Sequence, residues 1–283
     1  MDIEDIEAKT IISKSQISDN LYTANPYIGC SHSCIYCYAT FMRRFTNHMD
    51  QKWGSFVDVK YWKPLTQRQL LKYKNKWILI SSTTDPYQNK VEKKSKRTRE
   101  LLIQLQSSGA NISILTKSDL VLRDIDILQQ FKGKVAIGFS INTVDEKLKN
   151  EQDKAPSISA RINALKQLHE LNFYTYCFIA PVFPYLTDLF SIINTVRPYV
   201  NEIWVDSLNL LDSNVKHQVY SYILHKHPQL MDIYYDIYTN HDNTYYKHLV
   251  SELKQYCKAN NITYAGNKMS TYNAKKVLVR CFI

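Results

Sequence analysis

Apolar, β-branched runs of strand length alternate with helix-period segments about six times along this 283-residue chain. Most of these runs are near-continuous rather than alternating, as in strands buried on both faces of a parallel sheet. Together the two observations predict an α/β fold, a partial (β/α)6-type, TIM-like barrel with right-handed crossovers.

The elements follow in order. A first strand precedes Cys30. Residues 77–81 (WILIS) read as the second, followed by a helix carrying Leu101, Leu102 and Leu105 on one face and stopped by Gly109. Residues 112–117 are a strand, 120–131 a helix and 135–141 a strand. Ile158, Ile162, Leu165 and Leu168, spaced by three and four, mark the next helix. Residues 173–182 form a strand ended by Pro181 and Pro184. Residues 186–196 are helical, 202–208 a strand, 216–224 and 245–258 helical, and 262–266 a last strand. The region 52–76 has no clear period and reads as an insertion, either a surface loop with a short helix or a lid over the substrate. The expected organisation is an N-terminal extension over 1–20, a core barrel over 21–210, and a C-terminal extension over 211–283 that completes the barrel.

Hydrophobic residues make up 45% and charged residues 22%, ordinary globular values. No run of eighteen apolar residues occurs, so no membrane span is expected. The N-terminus lacks the basic and apolar regions of a signal peptide, which points to a cytoplasmic protein with reduced thiols. The formal net charge of +10 suits a nucleic acid or other polyanionic partner. A Lys- and Asn-rich composition with only 6 glycines offers a purely compositional reading of that charge.

The stretch YIGCSHSCIYCYAT holds three of the six cysteines, Cys30, Cys34 and Cys37, spaced C-x3-C-x2-C. A structural zinc site closes with four ligands, and the remaining cysteines form no second pair. His32 or His48 as a fourth ligand gives one alternative, a zinc-stabilised nucleic-acid-binding module without catalysis. The other is a [4Fe-4S] cube, in which three thiolates leave one iron open to a small molecule.

The second alternative gains from the wider sequence. C-x3-C-x2-C, with Tyr36 just before the third cysteine, resembles the radical SAM superfamily signature. NPYIGCSHSCIYCYA resembles the spore photoproduct lyase-like branch of that superfamily. So do SSTTDPYQ, LTKSDLVLRDIDIL, SINTVDEKL, KAPSISARINALKQL and APVFPYLTD, in the same order and together covering residues 25–188.

The resemblance implies a [4Fe-4S] cluster on Cys30, Cys34 and Cys37, with S-adenosylmethionine bound at its open iron. A flavodoxin- or ferredoxin-like one-electron reductant would drive cleavage to methionine and a 5′-deoxyadenosyl radical. Tyr36 would lie near the adenine, with Tyr38 beside the cluster. Ser82, Thr83 and Thr84 would meet the methionine amino group. Asp85 either belongs to that loop or simply caps a turn. Lys117 or Arg161 would pair with the methionine carboxylate, Arg161 otherwise being an exposed helix residue in a salt bridge. Ser140 and Asn142 would reach the ribose.

The chain also departs from the lyases proper, which carry a hydrogen-donating cysteine where Ser82 stands. A serine O–H bond is too strong to replace it. Cys177, on the strand over 173–182, could supply a thiol from another side of the barrel, and its plainer reading is a buried, inert residue. The substrate is therefore open: nucleic acid, favoured by the lyase-like resemblance and by charge, or a peptide or protein. The basic run KVEKKSKRTR (residues 90–99) is a candidate phosphate contact.

Overall fold

A computed structural model describes residues 1–15, 21–267 and 278–283. Parts of the expected extensions, 16–20 and 268–277, lie outside the described residues. The chain forms two compact units: 1–34, 39–139 and 153–175 make the first, and 35–38, 140–152 and 176–283 the second. The strands, in chain order, are β1 (Asp2–Glu7), β2 (Ile12–Lys14), β3 (Leu21–Ala24), β4 (Tyr27–Ile28), β5 (Phe56–Tyr61), β6 (Trp77–Ile80), β7 (Asn111–Thr116), β8 (Val135–Ser140), β9 (Tyr174–Val182), β10 (Glu202–Ser207), β11 (Thr263–Asn267) and β12 (Leu278–Phe282).

In the first unit β3, β6, β7 and β8 run parallel, with Ala24 opposite Ile80, Ile80 opposite Ile114, and Ile114 opposite Ile137. β2 joins β3 antiparallel. Ile78, Ile80, Ile112, Ile114 and Ile137 are fully buried, as the near-continuous apolar runs predict. The helix Arg97–Leu105 buries Leu101, Leu102 and Leu105. The helix Ile158–Glu170 starts at an N-cap, Ser157, whose hydroxyl accepts from Ala160 N. Ala24, Ile80 and Ile114 stand level in this register, so Asn25, Ser81 and Lys117 all follow the C-terminal ends of neighbouring strands.

Residues 52–76 differ from the expectation. They do contain a short helix, Gln67–Leu71, but their main element is β5 rather than a surface loop. β5 pairs parallel with β1 and antiparallel with β4 in a separate three-stranded sheet. Val57 and Val59 pack with Tyr27 and Val91 on one face of that sheet. Each such buried side chain is worth about 1.5–3 kcal/mol, which makes the segment part of the core. The helix expected over 120–131 is instead a 3-10 turn, Asp119–Asp124, and one short helical turn, Ile125–Leu128.

In the second unit β9 and β10 are parallel. β12 runs antiparallel to both β10 and β11, so the strand expected at 262–266 meets β12 rather than closing a parallel series. Helices Glu146–Gln152, Leu189–Val196, Ser213–Lys226, Met231–Tyr238 and Thr244–Ala259 accompany them. No helix among the described residues is long and apolar enough to cross a membrane.

Candidate active site

The cysteine loop leaves β4 through Gly29, whose φ of +87° suits glycine. A Cβ there would stand 2.5 Å from the carbonyl oxygen of Phe56, so β5 backbone packs directly under the loop. Thr84 Oγ1 donates to Gly29 O at 2.5 Å, and Ser31 N donates to Gln88 Oε1 at 2.8 Å. The loop after β6 thus holds the start of the cysteine loop through backbone atoms, independently of the cysteine side chains. Cys30 is buried, Cys34 and Cys37 are half-buried, and none of the six cysteines is in a disulfide.

Asn25, directly after β3, organises the loop after β6. Its Oδ1 accepts from Ser82 N at 2.8 Å and Thr83 N at 3.1 Å, and from the Thr83 hydroxyl at 3.3 Å. Ser81 N donates to Ala24 O, which extends the β3–β6 ladder to the foot of this contact. Ser81 itself takes a left-handed backbone, φ 64°, where the strand turns out of the sheet.

Asp85 ties three segments together. Its Oδ1 accepts from Tyr87 N at 2.8 Å, which closes a turn, and from Thr116 Oγ1 at 2.7 Å. Its Oδ2 accepts from Lys117 N at 2.7 Å and lies 3.4 Å from His32 Nδ1. Burial pushes the Asp85 carboxyl up, but His32 and the donors from Lys117 and Thr116 outweigh it and hold it at about 2. Burial pushes His32 down, yet Asp85 and then Cys30 outweigh it and lift the imidazole to about 10. A cationic ring therefore sits beside Cys30, where a thiolate ligand is favoured.

His32 O also accepts from Lys154 N at 2.7 Å. The neighbouring Asp153 pairs with Arg161 at 3.2 Å, and Arg161 Nε donates to Pro156 O at 3.0 Å. Both ionic side chains are wholly buried, which corrects the reading of Arg161 as an exposed helix residue.

In the second unit Tyr36 is buried edge-on against Phe183, ring centroids 5.5 Å apart, and Tyr38 is 57% exposed. Ile35 N donates to Gln152 O, and Asn142 Nδ2 donates to Gln152 Oε1 at 2.7 Å. Ser140 Oγ donates to Ala180 O at 3.1 Å. Cys177 is fully buried, and burial pushes its thiol well up, so it is a poor thiolate.

In the first unit, then, the structure gathers Ser82, Thr83, Asp85 and Lys117 around the start of the cysteine loop. Arg161 is linked to that loop through Asp153 and Lys154. In the second, Asn142 joins the Tyr36 segment through Gln152. His48 is turned to Asp58, at 2.9 Å through Nε2, which commits that nitrogen away from a Cys3His site. Sequence reasoning missed Asn25, Gln88 and Gln152. Asn25 stood before a proline straight after a strand, and Gln88 closed a quoted block, but neither position names its partner.

The model of the radical SAM superfamily matches residues 24–189. This chain belongs to the radical SAM superfamily. The α/β, TIM-barrel-like fold class expected from the strand pattern is that of the superfamily. A protein of Methanocaldococcus jannaschii is 37% identical over 269 residues, covering 94% of this chain and 97% of the relative. A protein of Acidianus two-tailed virus is 30% identical over 182 residues, covering 60% of this chain and 58% of the viral one. Among solved structures, spore photoproduct lyase complexed with dinucleoside spore photoproduct aligns at 13% identity and a TM-score of 0.49, covering 80% of each chain.

The donor set fits the superfamily's cluster. Three reduced cysteines at C-x3-C-x2-C would supply one thiolate to each of three irons of such a cluster. A buried cation beside Cys30 and a loop braced by its backbone suit an anionic group bound there.

Proposed function

We propose that this chain is a radical enzyme that reductively cleaves S-adenosylmethionine at a [4Fe-4S] cluster held by Cys30, Cys34 and Cys37. The observation that carries the proposal is the Asp85–His32 contact. It joins the cysteine loop to the loop after β6 and to the end of β7 within the matched region. When bound, such a cluster would pass on one electron from an external reductant, and that electron would break the sulfonium C–S bond to give methionine and a 5′-deoxyadenosyl radical. The chain's own residues do the positioning. Asn25 sets the backbone of Ser82 and Thr83, which present hydroxyls and carbonyls to an ammonium group. Asp85 and His32 hold the cysteine loop and balance charge beside Cys30. Tyr36 offers a fixed ring face for an adenine. Lys117 or Arg161 is the candidate partner for the methionine carboxylate. Ser140 and Asn142 are the candidates for the ribose.

The substrate class supported best is nucleic acid. The net charge is +10, and Lys93, Lys94 and Lys96 are exposed on and after the helix Asn89–Ser95. The basic run is shorter than its sequence suggests, since Arg97 is buried and Arg99 is paired with Asp124 and Asp126. The test incubates reduced, reconstituted protein and S-adenosylmethionine with deuterated oligonucleotide or deuterated peptide. Deuterium in 5′-deoxyadenosine from the oligonucleotide alone is the expected result, and transfer from the peptide alone overturns the substrate assignment.

A further inference from the structure

β1 and β5 are parallel and in register, so Glu4 and Asp58 are direct cross-strand neighbours on one face. Two like charges in that position destabilise a sheet unless something cationic lies between them. The segment that crosses this face supplies His48. Its Nε2 is 2.9 Å from Asp58 Oδ1 and 3.6 Å from Glu4 Oε2. One ligand atom from each of the three residues lies within 4.8 Å of the others.

The imidazole does not reach this place by chance rotation. It stacks on Phe56 with centroids 4.4 Å apart and planes 23° from parallel, and Trp53 packs edge-on against the same phenyl ring. His48 N accepts no freedom either, since it donates to Thr46 Oγ1 at 3.1 Å. His48 and Asp58 are each only 3% exposed, whereas the Glu4 side chain is 47% exposed and forms the solvent side. Two buried donors and one exposed donor make a site open to solvent on the Glu4 side.

We propose that Glu4, His48 and Asp58 bind a divalent first-row transition cation, of which zinc is the probe here. One imidazole nitrogen and two carboxylate oxygens suit such an ion and disfavour soft, thiolate-seeking ones. Burial, with Glu4 adding to it, pushes the Asp58 carboxyl up, and a cation at this point relieves both effects. The site shares no residue with the cysteine trio. Its consequence is mechanical: the ion clamps the N-terminal strand and the 46–55 segment onto β5. Asp58 is also the β-ladder partner of Ile28, two residues before Cys30. The clamp thus stiffens the base of the cysteine loop.

The experiment uses the untagged full chain with Cys30, Cys34 and Cys37 changed to Ala, stripped with chelator and titrated with zinc in a calorimeter. Cobalt then serves as a spectroscopic probe. The expected result is one zinc per chain at micromolar affinity or tighter, and a cobalt spectrum with weak visible bands and no thiolate charge-transfer absorption. His48→Gln and Asp58→Asn should weaken binding roughly 10–100-fold and Glu4→Gln roughly tenfold. Glu4 is exposed, so its variant keeps the test valid if the buried ones fold poorly. No zinc binding at micromolar concentration, cobalt–thiolate absorption, or binding unchanged in Glu4→Gln and His48→Gln overturns the proposal. His48 would then serve only as a buried hydrogen-bond partner of Asp58.

Discussion

Asp85 Oδ2 lies 3.4 Å from His32 Nδ1, with both side chains buried, and this contact joins two loops separated by more than fifty residues. The low Asp85 value and the high His32 value are one interaction seen from its two ends, so it counts once. Asp85→Asn leaves a buried imidazole without its counter-charge and should cost about 3–5 kcal/mol in the cluster-free chain. Chemical denaturation of the two proteins at neutral pH measures the difference.

The pH dependence of that difference has a defined sign. Asp85 is held below its ordinary 3.8, at about 2, so its contribution is present above 3.8 and is lost as pH falls through 2. His32 is held above its ordinary 6.5, at about 10, so its contribution is complete below 6.5 and is lost as pH rises through 10. The stability gap between wild type and Asp85→Asn should therefore be widest between 3.8 and 6.5 and shrink on both sides. A gap that keeps growing toward alkaline pH contradicts the assignment.

Asn25→Ala removes the acceptor shared by Ser82 and Thr83. It should cost about 1–3 kcal/mol of stability and weaken S-adenosylmethionine binding about tenfold, whereas Asn25→Asp, which keeps the acceptor oxygen, should retain most of both. Equilibrium binding to the reconstituted protein, beside thermal melts, separates the two effects.

Arg161→Ala takes the counter-charge away from the buried Asp153 and should destabilise the chain by about 3–5 kcal/mol. Full stability with abolished S-adenosylmethionine binding would instead make Arg161 a direct cofactor ligand.

Changing Lys93, Lys94 and Lys96 to Glu should lower polynucleotide affinity and flatten its salt dependence, by roughly 0.9 in log–log slope per lost duplex phosphate contact. An unchanged slope in a filter-binding series removes this surface from the substrate path.

The parallel strands were legible because burial on both faces leaves a continuous apolar run, as in Ile78–Ile80 and Ile112–Ile114. The cysteine trio was legible because its three members are local in sequence. β5 was not. Its partner β1 reads as an acidic, polar tail, and the pairing of Asp2 with Phe56 spans too much chain for any local period to reveal. β12 stayed hidden for a similar reason, since its antiparallel partners β10 and β11 come from two different segments. Within the site, Asn25 looked like an ordinary loop residue, and His32 and Asp85, though both were named as candidates, gave no sign of their contact with each other, which exists only once the ends of β3, β6 and β7 are brought together.

The central claim is tested most directly by anaerobic reconstitution with iron and sulfide, followed by iron counting and a 5′-deoxyadenosine assay with dithionite and S-adenosylmethionine. The account predicts about four irons per chain and 5′-deoxyadenosine formation, with both lost when Cys30, Cys34 and Cys37 are changed to Ala. Zinc held by those three cysteines, with no iron cluster and no cleavage product, would contradict it.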